Sequence, residues 1–245
     1  MTPDTPSDEN DMPTNVDLST GVRGKFYKPD LRLIPPVRLV SQAVTTPAPP
    51  MRQIRAVYDA TTIRVYQAYS DAIADSALAH GTFVSPPFKM DRMTWIKPSF
   101  LWMMYRAGWG FKDPGQSRIL AIDITREGFD WALAHGCPSH PTESMTAQEW
   151  ADLKARSPVR IQWDPERDLH HNPLSHRAIQ IGLSHEAVKL YVHEWIRKIT
   201  DVTLLAHEIH SLVQTRELER AQAALPLERA YGVDSFNNKS MASWT

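Results

Sequence analysis

Proline sets the first limit on what this chain can fold into. Nine of its nineteen prolines fall within the first fifty residues, and the last three close that stretch in "TTPAPP". Proline lacks an amide proton and pushes the preceding residue toward extended geometry, so neither a packed helix nor a central strand is expected there. Residues 1–50 are therefore read as a mostly disordered arm, residues 51–217 as one globular domain and residues 218–245 as a C-terminal tail. Within the arm, "GVRGKFYKPDLRLIPPVRLV" is less polar than its surroundings. It reads as an extended segment through which a protein partner would be held.

Beyond the prolines, short apolar runs alternate with helical periodicities. "IRAVY" (54–58) reads as a strand. Asp59 is placed to cap a helix from Ala60 to Ala79, because a carboxylate there accepts from first-turn amides. Ile63, Tyr66, Ser70, Ile73 and Ala77 recur at steps of three and four and would form its buried stripe. Gly81 ends it. A second helix opens at Pro98 and runs to Arg106, with Gly108 just beyond. "RILAIDI" (118–124) is the clearest strand, followed by the short helices "EGFDWALAH" and "AQEWADLKAR". "VRIQW" (159–163) and "RAIQIGL" (177–183) read as a strand pair joined by a long polar loop. "HEAVKLYVHEW" then reads as a helix, "IRKITDVT" as a strand and "LLAHEIHSLVQTREL" as a final amphipathic helix. The spacing is too irregular for a doubly wound sheet. The fold class expected is α+β, with a mixed or antiparallel sheet and helices in a single domain.

Charge narrows the function. The net charge is −1 with histidines neutral, so no global pull toward nucleic acid or acidic lipid exists and any such binding needs a local patch. One cysteine, Cys137, excludes an internal disulfide. No apolar run approaches membrane-spanning length, and the opening "MTPDTPSDENDMP" is acidic where a secretory signal would be basic. A cytoplasmic protein without a membrane partner is expected.

The local patch is in "DRMTWIKPSFLWMMYRAGW" (91–109). From Lys89 to Arg126 seven basic residues face only three acids. Arginine offers a planar fork matched to phosphate, lysine a compact charge, and tryptophan a face for stacking on a base. Arg92, Lys97 and Arg106 are the candidate anion ligands, with Trp95 as the stacking plane and a helix N-terminus at Pro98 to receive a phosphate. Burying an unpaired cation is costly, so such groups need an anionic partner in the protein or in a ligand. The second candidate set is "RAVYDATTIRVYQAY", where Arg55, Tyr58, Asp59, Arg64, Tyr66, Gln67 and Tyr69 crowd a core-facing strand and helix. They are either a buried polar network, or Arg55, Tyr66 and Gln67 line the same cleft, with Tyr66 as an alternative stacking ring and Asp59 or Gln67 as the catalytic group that orients the reacting atoms.

Other polar clusters carry less. His170, His171 and His176 lie in a polar loop, and "AHEIH" lacks the spacing of zinc proteases, so no metal site is assigned. Asp123, Glu127, Asp164, Glu166 and Asp168 are isolated carboxylates, and Cys137 is not read as catalytic. No Gly-rich phosphate cradle and no G-x-S-x-G elbow is present.

"IRAVYDATTIRVYQAY", "GTFVSPPFKMDRMTWIKPSFLWMMYRAGWG", "ILAIDITREGF" and "RAIQIGLSHEAV", in this order, closely resemble the family called Domain of Unknown Function 4291, over about residues 51–215. The resemblance implies no catalytic residues, because the family's name carries no reaction. It places the signature on Tyr58, Asp59, Tyr66, Gln67, Arg92, Trp95, Lys97, Pro98, Trp102 and Arg106. This chain departs from the pattern in its long N-terminal arm and in "FKDPGQSR".

Two functions follow as expectations. The first is an enzyme acting on a nucleotide or nucleic-acid phosphate held by Arg92, Lys97 and Arg106. Its most specific version uses NAD as cofactor, with a layout similar to ADP-ribosyltransferases and Arg55 meeting the cofactor. The second is a non-catalytic module for nucleic acid or a protein partner.

Overall fold

The computed structural model describes residues 49–143 and 145–232. The proline-rich arm to residue 48, with its candidate partner segment, and residues 233–245 lie outside the described residues. Element order is β1 (Arg55–Ala56), β2 (Thr62–Tyr69), α1 (Asp71–His80), β3 (Thr94–Ile96), α2 (Phe100–Ala107), β4 (Arg118–Thr125) and α3 (Arg126–Ala134). Then come β5 (Gly136–Pro138), α4 (Ala147–Arg156), β6 (Val159–Arg167), β7 (Pro173–Leu183), α5 (Glu186–Leu190), β8 (Ile196–Asp201), α6 (Thr203–Gln214), α7 (Leu218–Ala224) and β9 (Arg229–Ala230). The fold is α+β, as the sequence indicates.

Alternation along β4 organises the interior. Leu120, Ile122 and Ile124 enter one core, with Ile63 and Val65 of the neighbouring β2. Ile119 and Ala121 point the other way, into a second core shared with Tyr66, Phe100, Met104 and Ile209. The antiparallel sheet β2-β4-β8 is thus apolar on both faces. On the first side it packs against a four-stranded sheet, β3-β7-β6-β5, and helices α1, α3 and α5. On the second side α2, α6 and α7 cover it. Each fully buried Ile or Leu contributes roughly 1.5–3 kcal/mol, so a strand buried on both faces is held firmly in register.

Residues 60–69 depart from the expected helix. They form a tight turn and then β2, in register with β4 from Thr62 opposite Thr125 to Tyr69 opposite Arg118. The run "TTIRVYQAY" is rich in β-branched and aromatic side chains, which lose rotamer freedom in a helix and fit a pleated surface. Only from Asp71 does the chain become helical, and Gly81 ends α1 in the left-handed region at φ 70°. β6 and β7 also extend further than expected, to Arg167 and from Pro173, which leaves a short turn in place of a long polar loop.

Residues 218–232 do not behave as a tail. Leu218–Ala224 is helical, Ala221 is fully buried, and β9 pairs antiparallel with β1. Tyr231 closes this end by packing its ring edge-on against Tyr58 and Phe129.

Candidate functional site

Where β2 ends and β3 passes beside it, a cleft of about 530 Å³ opens. Gln67 and Tyr69 come from β2, Lys89 and Arg92 from the loop before β3, and Thr94 and Trp95 from β3. Lys97 follows β3, Arg106 lies in the last turn of α2, and the turn 113–116 closes the rim. One backbone bond ties β2 to the residue after β3: the Tyr66 amide donates to the Lys97 carbonyl at 2.7 Å. Five of the sequence candidates, Gln67, Arg92, Trp95, Lys97 and Arg106, converge here.

Lys97 is the unusual member. It is only 7% exposed, and its ammonium donates to the Trp95 carbonyl at 3.1 Å. Among the described residues it makes no ion pair. Burial, with Arg106 nearby, pulls it from the usual 10.5 down to about 7, while the more distant Asp164 opposes the shift. Desolvation disfavours the charged form of an amine, and a neighbouring cation does the same.

Charge around it is one-sided. Lys89, Arg92 and Arg106 are exposed on the walls, and Asp113 is the one acid lining the cleft. Its carboxylate is already engaged, accepting from the Gly115 amide at 2.7 Å and from the Gln116 amide at 2.6 Å. Elsewhere two half-buried arginines are neutralised by carboxylates of the chain. Arg64 forms a two-pronged pair with Asp123 at 2.7 and 3.0 Å, and Arg118 gathers Asp71, Asp75 and Asp201. Among the described residues the cleft cations have no such carboxylate partner.

The floor is a closed polar chain. The Gln67 amide donates to the Thr94 hydroxyl at 2.8 Å and to the Trp95 carbonyl at 3.2 Å, and it accepts from the Tyr191 hydroxyl at 2.7 Å. Tyr69 and Thr94 share a further bond of 2.9 Å. Burial pushes the Tyr69 and Tyr191 hydroxyls well above their ordinary range, so both remain protonated. This network fixes β2 against β3 and leaves Gln67 little freedom for a catalytic role. Above it, the Trp95 indole lies across Gly182 of β7, whose added Cβ would sit 3.0 Å from the ring. Glycine is required for that close approach.

The remaining candidates lie elsewhere. Asp59 is exposed and serves the turn before β2, where one oxygen accepts from the amides of Thr61 and Thr62 at 2.8 and 2.7 Å. Those bonds hold its carboxyl down at about 2. It caps a hairpin, not a helix, and does not reach the cleft. Tyr66 faces the opposite side of β2 and meets Phe100 edge-on at 5.4 Å, so its ring is not available to a ligand. Tyr58 donates to the Ala230 carbonyl at 2.8 Å and packs on Tyr231. Arg55 donates to the Glu228 carbonyl at 3.0 Å and lines a different cleft of about 340 Å³ that shares no residue with the first.

That second cleft corrects another expectation. The amino end of α2 is already taken, because the Phe100 amide donates to the Glu228 carboxylate at 2.7 Å and the Trp102 amide to Ser99 at 3.1 Å. The chain's own carboxylate occupies the place foreseen for a phosphate. Burial raises Glu228 to about 8, with nearby Glu166 adding to the shift. Nothing in the sequence flagged Glu228, because it lies in the presumed tail.

Of the other carboxylates, Asp164 accepts from Gln162 and Gln180, and Asp168 holds the turn between β6 and β7 through His170 and Asn172. His171 and His210 each stack on the Trp109 ring, at 5.3 and 5.5 Å, and His207 stacks on Phe111 at 4.3 Å. Cys137 is fully buried in β5. A larger cleft of about 730 Å³ beside β5 and β6 carries exposed Arg52, His140 and Glu143, charges of both signs.

Tyr69 belongs to the second set named from the sequence, whereas Thr94 and Gln116 were missed, since neither stands out from its neighbours by type. Lys89 was visible in "PPFKMDR", two residues before Asp91.

Residues 53–231, more than half of the chain, match the family model described as Domain of unknown function (DUF4291). No curated protein matches the sequence. No helix among the described residues is long and apolar enough to cross a membrane.

Proposed function

We propose, for a chain that belongs to the Domain of Unknown Function 4291 family, that the Lys97 cleft binds a small phosphate-bearing ligand such as a mononucleotide, and that the protein is an enzyme acting on it. One observation carries this reading. Lys97 is held 7% exposed beside a cleft with no carboxylate to pair it among the described residues, and an arriving anion would supply what the fold withholds. Arg92 and Arg106 offer bidentate donors for the phosphate, and Trp95 a face for a ring. The volume suits a small ligand. Arg55 lies in the other cleft, so the version with Arg55 on NAD has no support from the geometry.

Exposure of Lys89, Arg92 and Arg106 favours a second reading, in which the rim tracks a nucleic-acid strand. A thermal-shift series with inorganic phosphate, mononucleotides and short oligonucleotides at two salt concentrations separates the two. Ligand at about a hundred times its Kd stabilises by about 2.7 kcal/mol, a rise of roughly 5–10 °C for a domain of this size. A mononucleotide should produce it, and Arg92→Ala with Arg106→Ala should abolish it while Arg55→Ala does not. A response to oligonucleotides alone, lost steeply with salt, would establish the surface reading. No response to any of them removes both.

A further inference from the structure

We propose that Lys97 is a covalent nucleophile, and that the ligand of this cleft is a phosphate ester bearing an aldehyde or ketone, which Lys97 captures as an imine. The inference rests on the phosphate reading and adds the reacting group.

The geometry separates two kinds of cation. Lys89, Arg92 and Arg106 stand exposed on the walls, where they can meet a phosphate and remain solvated. Lys97 lies deeper, with Trp95 lining the same cleft beside it. A group meant only to bind phosphate gains from being charged, and burial without a carboxylate works against that. The same placement suits an amine that must be uncharged to attack, since burial and a nearby cation are the two ways proteins activate a lysine nucleophile. Both act on Lys97, and they bring it down to about 7. At neutral pH about half of such an amine is unprotonated, on the order of a thousand times the fraction of an ordinary surface lysine.

The step balances without a redox partner. The Lys97 nitrogen lone pair attacks the carbonyl carbon and a C–N bond forms. Both N–H protons of the neutral amine pass to the carbonyl oxygen, which leaves as water when the C=N bond closes. Hydrolysis reverses the sequence. Once the imine nitrogen takes a proton from solvent, the Trp95 carbonyl, which now accepts from Lys97 at 3.1 Å, is placed to accept from that N–H.

The test uses the full chain with pyridoxal 5′-phosphate as probe, a phosphorylated aldehyde, followed by cyanoborohydride reduction and peptide mass mapping. Lys97 should be labelled at least tenfold faster than any other lysine. Inorganic phosphate should slow that labelling, and unphosphorylated pyridoxal should label it at least tenfold more slowly. The rate should rise with pH through about 7. Lys97→Arg keeps a cation but cannot form the imine, and Lys97→Met removes the amine. Circular dichroism confirms that each is folded, and both should lose the fast label. If phosphate or mononucleotides stabilise the protein but the label spreads over surface lysines, the nucleophile assignment falls and the phosphate reading stands. If Lys97 is labelled equally by pyridoxal and phosphate does not compete, the phosphate-ester assignment falls together with that reading.

Discussion

Replacing Lys97 with methionine should make the protein more stable, and the gain should depend on pH in a defined direction. Methionine has similar length and no charge to desolvate. Lys97 falls from 10.5 to about 7 on folding. Below about pH 7 both folded and unfolded chains hold the proton, and the folded state bears the full penalty of a buried charge. Between about 7 and 10.5 the unfolded chain binds a proton that the folded chain has released. Stability therefore rises with pH across that window, at up to about 1.4 kcal/mol per pH unit. The upper limit is about 5 kcal/mol, and dielectric relaxation in the cleft reduces it to roughly 2–5 kcal/mol. Lys97→Met should gain that amount at pH 6 and less than about 1 kcal/mol by pH 10. Urea unfolding of both proteins at each pH from about 6 to 10, followed by tryptophan fluorescence, gives the difference directly. Groups such as Glu228 and Tyr69 titrate in both chains and cancel. A difference that is flat with pH, or a variant less stable than the parent at pH 6, would refute the claim that Lys97 is an unpaired buried cation.

Three further outcomes follow from the same geometry. Gln67→Leu strands the Tyr191 hydroxyl and removes one of the two donors to the Trp95 carbonyl, and should cost roughly 1–3 kcal/mol in urea unfolding. Glu228 is raised from 4.5 to about 8, so the stability of the wild type relative to Glu228→Gln should fall as pH climbs from about 4.5 to 8, and Glu228→Gln should be the more stable of the two above pH 8. Partial solvent contact at Glu228 makes this effect smaller than at Lys97. Gly182→Ala would push its Cβ to 3.0 Å from the Trp95 ring and 2.9 Å from the Met93 sulfur. It should destabilise by about 1–3 kcal/mol and weaken mononucleotide binding in the thermal-shift series while Lys97 and the arginines remain.

Local pattern carried a good part of the architecture. "RILAIDI" reads as a strand because its apolar content is continuous, and it is the strand with a core on each face. The helices from 126, 147 and 203 begin close to where their periodicity starts. At 60–69 two signals conflicted, because apolar steps of three and four coincided with a run of β-branched and aromatic residues. Pairing with β4 decided between them, and the misread period carried Asp59 and Tyr66 into a site they do not enter. The C-terminal segment misled for a related reason, since its sequence is polar and short of periodicity while its order comes from pairing with β1, far away in the chain.

What the sequence determined by itself was the presence of a cationic, aromatic segment from Lys89 to Arg106 in a nearly neutral chain, and the α+β class. Residue type and spacing are enough for both. Only the tertiary structure decided which cations are left unpaired. Arg64 and Arg118 met carboxylates brought by other strands and a helix, whereas Lys97 was buried with no carboxylate at ion-pair distance among the described residues, Asp164 acting on it only through space. Charge pairing falls off over a few ångströms, and such distances are created only when separate segments are packed together.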